Sequence, residues 1–323
     1  MSKSPDISVV MSIYEDAHYL RGAVESILAQ KGVDFEFIVV NDGSPDGSRE
    51  ILAEYARSDT RLRVIDQVNA GLTMALIRGC SEARGEFIVR QDADDISLPG
   101  RLRRLADMLN NDSTLSFVSS WSDVIGPEDE ILLTYKRPAD PDAATRQILH
   151  ERIGPPGHGS VMFRKDAYDK AGGYRRQLYY AQDSDLWLRM ALSGKISYAQ
   201  EVLYRYRITE TSMSGSRHYA KLPYARLVDE LHKLRLKGAS EEELLAQSED
   251  FIARNRSYGF RASDDETLYF IGRCLYSRRD RRGAKYLLRC LKARPFNVKA
   301  WIFLFSSLFL SRGGTTERPA KAV

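Results

Sequence analysis

The sequence predicts an α/β fold, in which a mainly parallel sheet is flanked by helices and is followed by a helical C-terminal region. Two observations support this prediction. Short apolar runs that favour strands alternate four times with helical patterns in roughly the first hundred residues, as in parallel sheets covered on both faces. From about Lys221 onward the composition changes to helix formers without strand signals.

The composition gives no sign of disulfides, structural zinc or a membrane span. Of the 323 residues, 43% are hydrophobic and 28% are charged, and the net charge is +4. Cys80, Cys274 and Cys290 form neither a CxxC pair nor an even framework, so we expect reduced, buried thiols. The N-terminal MSKSPDISVV lacks the apolar core of a signal peptide, and no stretch is long enough to cross a bilayer. We therefore expect a cytoplasmic protein.

The predicted strands are nearly unbroken apolar runs, which is typical of strands buried on both faces. Parallel neighbours need a crossover, so we expect right-handed helical connections between them. The predicted strands are Ile7–Ile13, Phe35–Val40, Leu62–Ile65 and Phe87–Val89. The predicted helices cover Leu20–Leu28, Ile51–Tyr55, a stretch that ends near Arg78, and Pro99–Met108.

Three carboxylates follow the fourth strand in the stretch FIVRQDADD, namely Asp92, Asp94 and Asp95. Carboxylates at the carboxyl end of a buried strand lie where open α/β sheets bind ligands. Asp92 and Asp94 can reach one ion together if the backbone turns there, and their hard oxygen ligands suit Mg²⁺ or Mn²⁺. The alternative is a helix cap before Leu98 and Pro99.

The ends of the other strands carry polar groups that would face the same crevice. Tyr14 could stack on a base, or be an ordinary aromatic residue at a strand end. Asp42 could accept a hydrogen bond from a base or a ribose, or form an Asx turn with the residues that follow it. Asn69 and Gly71 could let the backbone approach a diphosphate, or be plain loop residues. The residues predicted at this edge are Ser12, Tyr14, Glu15, Asp42, Asn69, Gly71 and Asp92.

The middle of the chain contains two further candidate residues. The predicted strands here are Phe117–Trp121 and Ile131–Tyr135, which could pair. The stretch 153–168 contains a glycine- and proline-rich loop that runs into a strand ending at Arg164. His158 lies in this loop, where it either contacts an acceptor or a phosphate, or is structural or solvated. Asp183 lies at the start of a helix, where it either points into the crevice or caps the helix.

Four stretches, VVMSIYED, VNDGSPDGS, NAGLTMALIRGCSEARGEFIVRQDADD and AQDSDLWLRM, resemble the inverting glycosyltransferases of family 2. The resemblance covers about residues 6 to 210 and implies the GT-A fold, which is Rossmann-like. It implies that Ser12, Tyr14 and Asp42 form a uridine pocket and that Asp92 contacts the ribose or the metal. It further implies that Asp94 ligates the metal, that Asp95 faces the donor sugar and that Asp183 is the general base.

Two positions depart from the family pattern. The acidic pair that ends in the base is here Gln182 and Asp183, so its first acid has become an amide. Thr209 stands where similar enzymes often have a metal-binding histidine. We expect activity to be retained, because the base is the second member of the pair.

The expected activity is metal-dependent transfer of a sugar from a nucleotide diphosphate donor, in particular a UDP-sugar, to a saccharide or lipid-linked acceptor. A pathway to an exopolysaccharide or a cell-surface glycan fits such an enzyme. One alternative is a sugar nucleotidyltransferase, although SIYEDAHYL lacks the glycine-rich, basic phosphate loop expected near the first strand. The other is a catalytically silent module that binds nucleotide sugars, which the changes at Gln182 and Thr209 would suit.

The C-terminal region is predicted to be helical and basic. Between Arg273 and Lys299 there are ten Lys or Arg residues and one acid, followed by the apolar stretch Trp301–Leu310. This pairing predicts peripheral contact with an anionic membrane, at the inner face of the cytoplasmic membrane, whereas the alternative is a core-facing last helix. Without a recognisable module we expect no nucleic-acid partner. We predict a catalytic domain at residues 1–215, a helical region at 216–323 and disorder after about residue 312.

Overall fold

The computed structural model describes residues 4–210, 218–255 and 264–307. The chain forms two compact units that alternate along the sequence. The first unit comprises Met1–Ser122, Lys136–Tyr206 and Pro223–Ser257, and the second comprises Asp123–Tyr135, Arg207–Leu222 and Tyr258–Val323. The domain boundary at residues 215 and 216 stays a prediction.

The sheet has nine strands in the order β3, β2, β1, β4, β8, β6, β9 and β5, and β7 pairs with β6. Strands β1 to β4 are parallel, whereas β8 is antiparallel to both β4 and β6, and β5 is antiparallel to β9. The α/β fold class is therefore confirmed, and β1 to β4 form a parallel part of the sheet. The strands are β1 Ile7–Ile13, β2 Phe35–Asn41, β3 Leu62–Asp66, β4 Phe87–Asp92, β5 Ile96–Ser97, β6 Leu115–Ile125, β7 Ile131–Tyr135, β8 Met162–Arg164 and β9 Lys195–Arg207.

Helices pack on the sheet of the first unit through apolar stripes, as the first helix illustrates. In the first helix the buried residues Leu20, Ala23, Val24 and Ile27 follow helical spacing, and each large apolar side chain buried in this way contributes about 1.5–3 kcal/mol. The helices are α1 Ala17–Leu28, α2 Ser48–Ser58, α3 Leu72–Ser81, α4 Arg101–Asn111, α5 Pro141–Arg146, α6 Lys165–Lys170, α7 Gln182–Ser193, α8 His218–Leu236 and α9 Glu242–Asn255. A π-helical turn spans Gln147–Glu151, and a 3-10 turn spans His158–Ser160.

Two details differ from the sequence-based expectation. Helix α4 begins at Arg101 rather than at Pro99, because Gly100 takes a left-handed conformation with φ of 81°. Strand β9 was not predicted, although it is the longest strand described. Its sequence, KISYAQEVLYRYR, mixes apolar and charged residues, so it lacks the unbroken apolar run that marked the parallel strands.

The second unit contains β7 and three helices. These are α10 Asp264–Ser277, α11 Gly283–Ala293 and α12 Val298–Ser307, in agreement with the helical character predicted for the C-terminal region. Gly272 and Gly283 let α10 and α11 pack closely, since a Cβ atom at Gly283 would lie 2.9 Å from the Gly272 carbonyl oxygen. Glu130 is fully buried and accepts the Tyr286 hydroxyl at 2.7 Å.

Two predictions about the end of the chain fall on residues outside the described part. These are the last three residues of the apolar stretch Trp301–Leu310 and the disorder predicted after about residue 312. Within the described residues, no helix combines the length and the apolar character needed to span a bilayer.

Candidate active site

The parallel register brings the predicted strand-end residues to one edge of the sheet. Ser12 of β1 lies opposite Asp92 of β4 on one side and opposite Val40 of β2 on the other. Asp42 follows β2 directly, and its backbone N–H donates to the Ile13 carbonyl at 3.0 Å. The residues that were widely spaced in the sequence therefore meet where three parallel strands end.

Asp42 organises the loop that carries Asn69 and Gly71. Its buried carboxylate accepts hydrogen bonds from the Gln67 side chain at 2.7 Å, from the Ala70 N–H at 2.9 Å and from the Gly71 N–H at 2.8 Å. The predicted contact of Asp42 with a base or ribose stays a prediction, but its carboxylate already fixes the loop that would approach the diphosphate.

The residue before Asp42, Asn41, makes a side-chain turn related to the predicted Asx turn, but it reaches the third residue after it and not the second. The side-chain oxygen of Asn41 accepts the Ser44 N–H at 3.1 Å. Ser44 in turn accepts the Glu15 N–H through its hydroxyl at 3.0 Å, and Glu15 takes a left-handed conformation with φ of 57°. Tyr14 is 43% exposed beside this turn, so its ring is available to a ligand.

The carboxylates after β4 differ in environment. A turn closes between the Asp92 carbonyl and the Asp95 N–H at 3.3 Å, and Asp92 and Asp94 remain partly exposed. Asp95 is fully buried and accepts the Tyr204 hydroxyl at 2.7 Å. The predicted contact of Asp95 with the donor sugar therefore stays a prediction that needs Tyr204 to move.

Two fully buried arginines stabilise this turn through hydrogen bonds. Arg90 donates to Asp92 Oδ1 at 2.6 Å and to the Val10 carbonyl at 2.5 Å. Arg101 donates to the carbonyls of Arg90 and Gly159 at 3.0 and 2.5 Å. Charge-assisted hydrogen bonds of this kind are short and strong, so the turn rests on a fixed support.

Tyr204 and Gly159 also contact this turn, and together with Arg90 and Arg101 they form what we call the support of the turn. The guanidinium carbon of Arg101 lies 4.5 Å from the centre of the Tyr204 ring, and the Tyr204 hydroxyl also accepts the Asp92 N–H at 3.3 Å. Gly159 lies against both groups, because a Cβ atom there would be 1.7 Å from the Tyr204 hydroxyl oxygen and 2.9 Å from Asp92 Oδ2. Sequence reasoning missed these residues; the arginine that interrupts an apolar strand at Arg90 was the available signal.

One ring nitrogen of His158 forms hydrogen bonds within the protein. Its Nε2 atom lies 2.6 Å from the Tyr174 hydroxyl and 3.4 Å from Arg90 Nε, which can only donate. Nε2 is therefore the acceptor, and the proton is on Nδ1. Burial, and then the charge of Arg90, hold the pKa of His158 well below its usual range. Any contact with an acceptor or a phosphate would involve the neutral ring through its Nδ1–H.

Asp183 lies in the first turn of α7 and is not its cap. The position before the helix is Ala181, in a left-handed conformation with φ of 57°, and it offers no capping side chain. Asp183 Oδ1 instead accepts the N–H of the next residue, Ser184, at 2.7 Å. Burial raises the pKa of Asp183, and the negative charge of Asp92 raises it further. Asp183 and Asp92 are therefore electrostatically coupled.

Excess negative charge at this edge suits a cation. Burial and then the carboxylates of Asp46, Asp92 and Glu15 raise the pKa of Asp16 to about 6. No group of three or more His, Cys, Asp and Glu side chains forms a metal cage among the described residues. The residues present fit a Mg²⁺ or Mn²⁺ ion of the kind held by one or two carboxylates together with substrate phosphates. The assignment of Asp92 and Asp94 as its ligands stays a prediction.

The two departures from the family pattern lie in different units. Gln182 is buried at the first position of α7, next to Asp183. Thr209 is buried and belongs to the second unit, and its correspondence to a metal-binding histidine stays a prediction.

Comparisons with known proteins agree with this architecture. A family model described as Glycosyl transferase family 2 matches residues 8–172. The putative glycosyltransferase EpsE of Bacillus subtilis is 34% identical over 214 residues, which cover 64% of this chain and 74% of that protein.

Solved structures of glycosyltransferases share the fold. S. aureus TarS 1-349 in complex with UDP-GlcNAc superposes with a TM-score of 0.59 at 18% identity, over 94% of this chain and 90% of that one. The mannosyltransferase PcManGT from Pyrobaculum calidifontis, in complex with GDP-Man and Mn²⁺, superposes with a TM-score of 0.53 at 17% identity, over 96% and 86% of the chains. The fold is therefore of the GT-A type.

Proposed function

Because the chain belongs to glycosyl transferase family 2, and is thus an enzyme that transfers glycosyl groups, we propose a more specific activity. It moves a sugar, with inversion, from a nucleoside diphosphate donor to a hydroxyl of a saccharide or lipid-linked acceptor, with the help of Mg²⁺ or Mn²⁺. The donor that we propose is a UDP-sugar.

One observation carries this proposal, namely the position of Asp92 at the end of β4, opposite Ser12 of β1, together with Asp183 in the first turn of α7. In the proposal the two carboxylates face one substrate from these separate elements. The negative charge of Asp92 contributes to the raised pKa of Asp183, which supports this proposal. A metal-side carboxylate and a base need this arrangement, because the leaving diphosphate and the attacking hydroxyl lie on opposite sides of the anomeric carbon.

In the proposed mechanism Asp183 accepts the proton of the acceptor hydroxyl as its oxygen attacks the anomeric carbon. A bond forms between that oxygen and the carbon, the bond to the diphosphate oxygen breaks, and the nucleoside diphosphate leaves. The raised pKa of Asp183 makes it a stronger base than an ordinary aspartate, and a positioned base typically contributes about a hundredfold to ten-thousandfold. A divalent ion held by Asp94 and Asp92 would supply charge neutralisation to the leaving group.

The residues around the Asp42 loop suit a nucleotide. Tyr14 offers an exposed ring for stacking, and the loop that Asp42 clamps presents Asn69 and Gly71 to the diphosphate. Two structural neighbours are complexes with nucleotide sugars, UDP-GlcNAc in one and GDP-Man in the other, and the second also contains Mn²⁺. We extend this chemistry to the present chain and favour uridine because of the family resemblance at Ser12, Tyr14 and Asp42.

We place the enzyme in the cytoplasm, at the inner face of the cytoplasmic membrane, in a pathway to an exopolysaccharide or a cell-surface glycan. All three cysteines are buried free thiols, which supports a reducing compartment.

A donor screen tests the proposal. The thermal unfolding midpoint is measured with UDP, GDP, and their sugars, with and without Mn²⁺, because a ligand that binds only the native state raises its stability. We expect a shift with uridine nucleotides that grows with Mn²⁺, and slow hydrolysis or transfer of the cognate sugar. A shift without any turnover would favour a silent binding module. Formation of a sugar nucleotide from a sugar phosphate and UTP would favour a nucleotidyltransferase.

A further inference from the structure

We propose that the outer face of α12 docks on an anionic lipid surface. This outer face consists of residues at helical spacing, i, i+3, i+4 and i+7, which place their side chains along one side of the helix. Their exposed fractions are 67%, 40%, 57% and 57%, whereas scattered single apolar residues are normal on a surface. The residues are Val298, Trp301, Ile302 and Phe305.

The opposite side of α12 is already packed within the second unit. Ala300 and Leu304 are buried there, and the Phe303 ring lies 5.1 Å from the Tyr276 ring of α10. Helix α12 is therefore apolar on both sides. A helix of this kind is normally buried or in contact with a membrane, so an exposed apolar outer face needs a partner.

Contacts of Trp301 fix the conformation of the outer face. The indole N–H of Trp301 donates to the Pro295 carbonyl at 2.8 Å, and its ring stacks on Phe305 with the centroids 5.5 Å apart. Phe296, which precedes the helix, is 95% exposed. A tryptophan that is tethered at its polar edge and exposed at its apolar edge suits the boundary between lipid and water.

Exposed cations lie in and near α12 in the sequence of the second unit and favour a negatively charged partner. Lys292 and Lys299 flank the start of the helix, and neither makes an ion pair among the described residues. Arg278 and Arg279 follow Tyr276, which contacts α12, and they likewise make no ion pair in the described part of the chain. The segment from Arg273 to Lys299 holds ten basic residues and one acid.

This charge distribution decides between the candidate partners. A second copy of the chain would bring two cationic surfaces together, which repel each other. A membrane of neutral lipids would leave the cations without a counterpart. An anionic bilayer accommodates both features, because apolar side chains enter the acyl boundary while each nearby Lys or Arg gains from the surface potential.

The inference adds a partner surface to the proposed function, since a lipid-linked acceptor would be found at such a bilayer. Its test does not depend on that function. The full-length protein is sedimented with vesicles of phosphatidylcholine alone or mixed with phosphatidylglycerol, at low and high salt. We expect binding to the mixed vesicles only, and weaker binding as the salt concentration rises.

Two variants separate the contributions of the face. Ile302→Ser with Phe305→Ser removes apolar contact, and Lys292→Gln with Lys299→Gln removes charge; each pair should lower partitioning roughly tenfold. The matched controls are Leu236→Ser, at a 54% exposed leucine in the first unit, and Lys237→Gln. Circular dichroism and donor binding should be unchanged in all variants.

Three outcomes would overturn the inference. These are equal binding to neutral and anionic vesicles, no binding to either, and self-association that Ile302→Ser with Phe305→Ser abolishes. Because donor binding is measured separately, a failure of the membrane inference remains distinguishable from a failure of the proposed transferase activity.

Discussion

Asp183 combines burial with a neighbouring negative charge, and both raise its pKa. A general base works only when ionised, so turnover should fall on the acid side at a pH above the ordinary aspartate pKa of about 3.9. We predict that Asp183→Asn lowers kcat by about a hundredfold to ten-thousandfold and removes this acid limb, with donor binding retained. The measurement is kcat against pH for both proteins, with Asp169→Asn on the exposed side of α6 as control.

A bound metal ion should also change the pKa of Asp183. A cation near Asp92 would neutralise the charge that raises the pKa of Asp183, so Mg²⁺ should lower that pKa, as measured by NMR titration of the Asp183 carboxyl with and without the ion. An acid limb that persists in Asp183→Asn would contradict the assignment of the base.

Asp16 should oppose folding when it is ionised. Its pKa of about 6 lies above the unfolded value of about 3.9, so the native state binds more protons between these values. By linkage, this group's contribution to stability is largest at pH 4, falls as the pH rises to about 6, and is then constant. We predict that Asp16→Asn raises the free energy of unfolding by up to about 3 kcal/mol at pH 7 and by less at pH 4. Urea titrations at the two pH values measure this, and a larger gain at pH 4 would refute it.

A substitution at Gly159 tests whether the support of the turn from Asp92 to Asp95 is needed. A methyl group there meets the Tyr204 hydroxyl and Asp92, so Gly159→Ala should displace Tyr204 from Asp95. We predict a loss of about 1–3 kcal/mol in stability, typical of overpacking, together with weaker donor binding. Gly154→Ala is the matched control, because nothing lies within 4 Å of a Cβ atom there. Equal behaviour of the two variants in denaturation and in donor titration would show that the support is not needed.

At the scale of elements, a hydrogen bond joins the first turn of α3 to the segment before α7. The Thr73 hydroxyl, in the first turn of α3, donates to the Leu178 carbonyl at 2.6 Å, and both groups are buried. The Tyr179 ring lies against Gly71, as a Cβ atom at Gly71 would be 3.0 Å from it. The loop that Asp42 clamps is therefore tied to the segment that leads to Asp183.

Breaking this link should affect catalysis more than donor binding. Thr73→Val leaves the Leu178 carbonyl unpaired, which costs about 1–3 kcal/mol, and frees the segment that positions Asp183. We predict a lower unfolding midpoint and a lower kcat with a smaller change in the donor KM. Thr114→Val, at an exposed threonine, is the control. A change in KM alone would argue against the link.

The elements were predictable where the pattern is local. Local patterns specify the secondary structure of several elements, namely the nearly unbroken apolar runs of β1, β2 and β4 and the apolar stripe of α1. The parallel order follows from the alternation of strands and helices. Strand β9 pairs with β5, which lies more than a hundred residues earlier, and the other antiparallel pairings also join segments that are distant in sequence, so no local period predicts them.

The candidate site was predictable only in part, for the same reason. Its carboxylates follow strands directly, and a strand end can be located from sequence. Arg101, Gly159 and Tyr204, in contrast, come from three separate segments and meet only through the tertiary fold. Asp95 shows the limit most clearly, since its neighbours in sequence gave no sign that a tyrosine from β9 would enclose it.

Over the whole molecule, the charges are segregated although the totals nearly balance, with 48 basic and 44 acidic residues. Carboxylates gather where the parallel strands of the first unit end, whereas the helices of the second unit carry the basic run from Arg273 to Lys299. The first distribution suits a cation and a nucleoside diphosphate, and the second suits an anionic surface. Net charge alone would have revealed neither.

The central claim is that the carboxylates after β4 bind a divalent ion together with the donor diphosphate. Calorimetric titration of UDP, with Mn²⁺ or with a chelator, tests this most directly in the wild type and in Asp94→Asn. We predict that Mn²⁺ increases UDP affinity at least roughly tenfold in the wild type, equivalent to about 1.4 kcal/mol, and has no effect in Asp94→Asn. An equal gain in both proteins, or UDP binding indifferent to the metal, would contradict the account.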